Sequence, residues 1–388
     1  MGNFTHPHFI LTALQLPTKD VHHDVGHCYF EEQSMPGSTN KRDIALLDVD
    51  NTVLFGAAPN TTYNDNLLDA LLEAGVRDIY LFTSMTINSE SVRERQTLAN
   101  YMESKGFKVH GVITPSDIFW PLDQELMERF LSHFKRPDNS LTKTLLEQDQ
   151  YSAINFAIES QPGVAFALAL NNPESMAGIT AHSQAANSVL GLVKKASDEY
   201  LTEKGHMYDL FIKHKPEWVN RIIFVDDAND NINAVEKSNE KYKCRLFAVL
   251  NRDKQNACEL PAPFYQESFA SLIGNHRLKQ LLASYCDAKQ NTSRQPSLSW
   301  SAFFRKAVSP AQEETAIAAV QKALDNEETD LLPHLATLRQ GELGSTLRRF
   351  VKSGAADAFC GKKISTVSEL VNALHNQVNG QNSFVFEV

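Results

Sequence analysis

The sequence has no CxxC pair, and its five cysteines, at 28, 244, 258, 286 and 360, are odd in number. That argues against both a disulfide framework and a zinc knuckle, and it makes a reducing compartment the simpler expectation. No run of about eighteen consecutive apolar residues occurs, so no spanning helix is expected. The opening MGNFTHPHFILTALQLPTKD lacks the basic region and long apolar core of a secretory signal. Position 6 is His where myristoylation after Gly2 calls for Ser or Thr, so a cytoplasmic setting is the default expectation. Positive charge is in deficit: 37 Lys and Arg stand against 47 Asp and Glu, a formal net charge of −10. A chain of that balance is poorly suited to general nucleic-acid binding, although it leaves room for a local basic pocket.

What is present is ordinary for a globular protein, with a hydrophobic share of 42% and a charged share of 22% in 388 residues. The length suggests two domains, or one domain with sizeable insertions. The chain is organised around Asp43 to Phe55, DIALLDVDNTVLF. Four apolar residues, Ile44 to Leu47, stop abruptly at Asp48-Val49-Asp50-Asn51-Thr52, as a buried strand does when it delivers polar groups to a loop. Two carboxylates at one strand end repel unless a cation, or a division into nucleophile and proton donor, separates their roles. A surface turn after the strand is the plainer alternative.

Along the chain, residues 1–42 form an irregular lead-in with His6, His8, His22, His23 and His27, interleaved with Pro7, Pro17 and Gly26. Packing on the domain fits this composition better than metal ligation. Gly56 to Thr62 reads as a turn-rich flap. Asn64 caps a helix carrying Leu67, Leu68, Leu71 and Leu72, which Gly75 stops. Strands are expected at Val76 to Ser84 and Val109 to Thr114, around a helix from Ser91, boxed with Glu94, to Lys105. Alternation of this kind predicts an α/β protein with a doubly wound parallel sheet. It breaks at 115–202, where helical segments such as Gln124 to Phe134 and Gln184 to Tyr200 suggest a mainly helical cap insertion. The core, 43–114 and 203–260, then resumes with a strand at Arg221 to Asp227, a helix near Asn231 to Ser238 and a strand at Cys244 to Leu250. Region 261–388 reads as helical: a helix over Ser268 to Cys286, a polar linker over Asp287 to Ser299, and a module with a capping box at Ser309 and Gln312. A further helix starts at Thr366 with Glu369 and carries Val367, Leu370, Val371, Leu374 and Val378 on one face. This C-terminal helical module shows no internal repeat and no catalytic cluster. The tail Phe384 to Val388 would suit a carboxylate-binding groove, as chance endings also do.

Asp48-Val49-Asp50-Asn51-Thr52 resembles the DxDxT signature of the haloacid dehalogenase (HAD) superfamily of aspartate-nucleophile phosphatases. The resemblance covers about residues 43–250 and implies a HAD-like Rossmannoid core. By it, Asp48 attacks phosphorus, Asp50 protonates the leaving group and then activates water, and Thr52 shapes the substrate loop. Thr83, with Ser84 beside it, would bind the phosphoryl group at the end of the second strand. Lys204 would pair with the nucleophile, with Lys194, Lys195, Lys213 and Lys215 as competitors. Asp226 and Asp227 would complete a Mg²⁺ site with Asp48 and the backbone carbonyl of Asp50; capping of the following helix is the other reading of that acidic pair. Asn51 departs from the Gly that many relatives carry, and the helical cap is untypical of the subgroup whose cap falls at this point.

The chain also looks like poorly characterised HAD-like effectors of intracellular bacteria, which implies that secretion into a host cell is open. The expectation is a Mg²⁺-dependent phosphomonoester hydrolase acting through an aspartyl-phosphate. Its substrate leans to a phosphorylated protein side chain, phosphotyrosine above all. A small phosphorylated metabolite is the alternative, as is a non-catalytic scaffold whose C-terminal module binds a host protein or a membrane surface.

Overall fold

The computed structural model describes residues 41–56, 60–119, 202–251, 260–292, 308–325, 329–360 and 362–378, with isolated positions at 163, 166, 169, 170, 180, 183, 184 and 200. The histidines of the lead-in, both expected helical segments of the insertion and the C-terminal tail therefore lie outside the described residues, single positions apart.

Strand β1 (Arg42–Leu47) opens the domain, and a small hairpin of β2 (Leu54–Phe55) and β3 (Thr62–Tyr63) occupies the expected flap. Helix α1 (Asp65–Glu73) follows, capped by Asn64, whose side chain accepts from the Leu67 amide. Next come β4 (Asp78–Phe82), α2 (Ser89–Ser104), β5 (Lys108–Ile113) and the short α3 (Pro115–Phe119). After the insertion the chain runs through α4 (Glu203–His214), β6 (Val219–Asp226), α5 (Asn229–Tyr242) and β7 (Leu246–Leu250).

All five long strands pair in parallel, in the order β5-β4-β1-β6-β7. Taken by sequence this is 3-2-1-4-5, a Rossmann-like order whose direction of winding reverses between β1 and β6. Strand β1 shows why the sheet is covered on both faces. Ala45 and Leu47 join one core with Leu67, Leu68 and Leu71 of α1 and Leu98 and Met102 of α2, whereas Ile44 and Leu46 join the other with Tyr208 and Phe211 of α4 and Val235 of α5. The architecture is thus α/β, with a parallel sheet between helical layers.

Two local readings change. The cap of α2 is Asn88, not Ser91: the Asn88 side chain accepts from the Glu90 and Ser91 amides, and the Ser91 hydroxyl accepts in return from the Asn88 amide. Asn is at least as good a cap as Ser, and placing it here lets both members of the box be satisfied. The polar stretch from Asp287 is not a linker at its start, because α7 (Ala270–Thr292) runs through it. Helix α7 is held at both halves, which overrides its polar surface: Leu272 and Ile273 enter the sheet core, whereas Leu278, Leu282 and Tyr285 enter a separate helical core.

That helical core is built on α8 (Pro310–Leu324), α9 (Leu335–Arg339), α10 (Gly341–Lys352), α11 (Ala355–Cys360) and α12 (Val367–Val378). The Ser309 and Gln312 box forms as expected, and Ile317, Val320 and Leu324 are buried beside Val367, Leu370, Val371 and Leu374. Among the described residues no helix is long and apolar enough to cross a membrane.

Candidate active site

The site lies at the carboxyl ends of β1, β4 and β6, in the crevice where the winding reverses. Leu47 is level with Val225, and the Asp48 amide donates to the Val225 carbonyl at 2.9 Å, so the chain leaves β1 with Asp48 facing the end of β6. The loop then curls tightly: the amides of Val53 and Leu54 both donate to the Val49 carbonyl, at 3.0 and 2.8 Å. This curl puts Asn51 at φ 61°, in the left-handed region where Gly is free and Asn is among the best-tolerated alternatives. Asn51 thus supports the conformation that Gly would otherwise supply.

Buried amides clamp the loop from outside. Asn64 donates through Nδ2 to the Thr52 carbonyl at 2.9 Å and to the Tyr265 hydroxyl at 2.7 Å. Tyr265 donates in turn to Asn251 Oδ1, and Asn251 Nδ2 donates to the Asn51 carbonyl at 3.0 Å. Tyr265 belongs to α6 (Ala262–Ser268), so the helices after residue 260 begin as part of this support. Inside the loop, buried Thr52 donates from Oγ1 to Asp48 Oδ2 at 3.2 Å, fixing the carboxylate's rotation.

Lys204 joins the three strand ends. It lies in the first turn of α4 and is only 1% exposed. Its Nζ donates to Asp48 Oδ1 at 2.7 Å and to the Phe82 carbonyl at the end of β4, and stands 3.2 Å from Asp226 Oδ2. Gly205, next to it, lets the Tyr200 ring pack against the helix, since a Cβ there would fall 2.5 Å from that ring. Of the rival lysines, Lys213 is exposed and Lys215 lines a cavity at the other edge of the sheet; Lys194 and Lys195 lie outside the described residues. Thr83 is buried immediately after β4, where its hydroxyl accepts from the Met85 amide at 3.2 Å, and Ser84 beside it is half-buried.

Asp226 is fully buried. Its Oδ1 accepts from the Ala228 amide at 2.9 Å and from Asn231 Nδ2 at 2.8 Å, so it braces the turn into α5 without capping the helix, whose cap position is Ala228. Its Oδ2 has no hydrogen bond and faces Lys204. Carboxylate oxygens of Asp48, Asp226 and Asp227 lie within 4.8 Å of one another. Asp48 and Asp226, both buried, share the one Lys204 ammonium. Burial, the largest influence on Asp48, raises its pKa from 3.8 to about 6; Lys204 opposes the rise, and Asp226 and Asp227 add to it. Burial also works against the Lys204 ammonium, but Asp48 and Asp226 outweigh it and hold its pKa above the ordinary lysine value.

No family model, curated protein or solved structure matches this chain. The functional reading therefore rests on the site itself. An oxygen-only set of three clustered carboxylates suits a hard divalent cation.

Asp50 stands apart from this cluster. Its side chain is 55% exposed and pairs with Arg95 Nη2 at 2.8 Å. Arg95, on α2, is 1% exposed and also bonds Glu94 and Met85 Sδ, so it ties the loop after β1 to the loop after β4. Sequence reading passed over Arg95 because an arginine on an otherwise polar helix reads as solvated. The available signal was weak: it lies twelve residues after Thr83, in the second turn of the helix that follows.

Proposed function

We propose that this protein is a HAD-type phosphomonoester hydrolase that works with Mg²⁺ and passes through an aspartyl-phosphate at Asp48. The observation that carries the proposal is the buried Lys204 ammonium between Asp48 and Asp226, with Asp227 in reach. Asp48, Asp226 and Asp227, with the Asp50 carbonyl, would hold the cation, which supplies charge neutralisation between phosphate and carboxylates.

In the first step an Asp48 oxygen attacks phosphorus, the bond from phosphorus to the ester oxygen breaks, and Asp50 gives its proton to the departing oxygen. Lys204 holds the nucleophile in line and offsets charge on the transferring group, while Thr83 and Ser84 receive its nonbridging oxygens. In the second step Asp50 takes a proton from water as that water attacks phosphorus. Phosphate leaves and Asp48 is restored. Arg95 pairs with Asp50 at the mouth of the site in the carboxylate form that the second step requires.

The exposed position of Asp50 favours a substrate presented from outside, a phosphorylated protein side chain, with phosphotyrosine having the reach and the better leaving group. One contact favours a small phosphorylated metabolite instead: Ser183 of the insertion accepts from the Ile87 amide, at 2.9 Å, in the loop after β4. A cap brought close to that loop would restrict entry. The test is a panel of phosphotyrosine peptides and phosphorylated metabolites, each with Mg²⁺ and with excess chelator. Chelator-sensitive release of phosphate from the peptides is expected to exceed that from the metabolites. The reverse order would select the metabolite reading, and no release from any member would leave a scaffold.

A further inference from the structure

The edge of the sheet opposite the candidate active site carries a second cluster of charge. A cavity of about 280 Å³ opens among the amino ends of β1, β6 and β7, lined by Lys41, Lys215, Lys243 and Arg245 with Cys244 and Asp325. Since β1 and β6 are six and eight residues long, it lies about 20 Å from the acidic cluster. In a chain of net charge −10, four cations around one small cavity are unexpected.

Among the described residues the lining holds one acid, Asp325. Asp325 is taken by Lys279, at 2.6 Å, and its backbone carbonyl accepts from Arg245 Nη1. Arg245 is steadied further by Asn220 Oδ1 at 2.9 Å, so its guanidinium is held at the rim. Among the described residues, Lys41, Lys215 and Lys243 have no carboxylate within ion-pair distance.

A second observation concerns the backbone. Lys243 ends α5 in the left-handed conformation, φ 52°, a position that favours Gly or Asn. A lysine there is strained, and among the described residues its ammonium has no ion-pair partner.

We propose that this cavity is a binding site for a compact phosphate-bearing polyanion, independent of the acidic cluster and of its chemistry. Lysine ammoniums act as point charges for phosphate, Arg245 adds directed donors, and the volume admits one or two phosphate groups.

The experiment is calorimetric titration of pyrophosphate into the full chain at low ionic strength with EDTA present, so that no divalent cation draws the anion to the other edge. One pyrophosphate per chain is expected. Lys215→Gln and Lys243→Gly should each weaken it by about tenfold. Lys243→Gly should melt no lower than the parent, because glycine relieves the left-handed strain, so its loss of binding is not a loss of fold. Inorganic phosphate should bind more weakly at the same site, and chloride at matched ionic strength should not compete. Absence of pyrophosphate binding, unchanged affinity in both lysine variants, or citrate binding as tightly as pyrophosphate would overturn the proposal.

Discussion

Asp48→Asn is expected to reduce turnover of an aryl phosphate in Mg²⁺ by roughly 10⁴-fold or more, because an amide cannot form the acyl-phosphate bond on which both steps depend. The fold should survive the change. In the metal-free protein the ionised Asp48 is held unfavourably, its pKa raised chiefly by burial, so its neutral isostere removes a burden; Lys204 keeps Asp226 as a partner at 3.2 Å. Steady-state kinetics beside an unfolding curve separate the two effects. Activity within tenfold of the parent, in a folded variant, would mean that Asp48 is not the nucleophile.

Lys204→Met should have the largest effect on stability. Methionine keeps the length and apolar stem but leaves Asp48 and Asp226, both buried, facing each other without their ammonium, and takes a donor from the Phe82 carbonyl. Removing one partner of a buried charge set costs about 3–5 kcal/mol. The loss depends on pH in a definite sense. Asp48 already binds its proton more tightly in the folded chain, at about 6, than at the ordinary 3.8, so protonation favours the folded state as pH falls through that window. Without Lys204, which opposes this rise, Asp48 takes up its proton at still higher pH. The destabilisation, read from denaturant unfolding without metal, should therefore be greater at pH 8 than at pH 5.5. An equal loss at both would indicate that Lys204 acts through packing alone.

The sequence was informative where local chemistry and long-range position coincide. Ile44 to Leu47 fit a strand buried on both faces of a sheet, and the abrupt stop at Asp48 fits the strand's end, so the acidic loop is legible from thirteen residues. The same holds for Ile222 to Val225 ahead of Asp226. Lys204 was legible only by its place before that strand; its contact with the Phe82 carbonyl follows from strand order, which no local pattern encodes.

The loop's supports were hidden for a related reason. Asn64 announces itself as a helix cap, but its bonds to the Thr52 carbonyl and to Tyr265 arise because α6 folds back onto α1. Asn251 carries no signal beyond following a strand. Arg95 failed differently: charge on a helix suggests solvent, and only the placement of α2 against the Asp50 loop buries it. In α7 the polar run from Asp287 misled because a helix already anchored by Leu278 and Leu282 continues through polar residues at little cost.

The central claim is that carboxylates from two distant stretches of the chain share one cation, and Mg²⁺ titration by calorimetry tests it most directly. At pH 7.5 the account predicts one Mg²⁺ per chain, binding that weakens as the pH drops below about 6, where Asp48 holds a proton that the metal must displace, and no measurable binding in Asp226→Asn. Absence of Mg²⁺ binding in the parent protein, or an affinity that Asp226→Asn leaves unchanged, would contradict it.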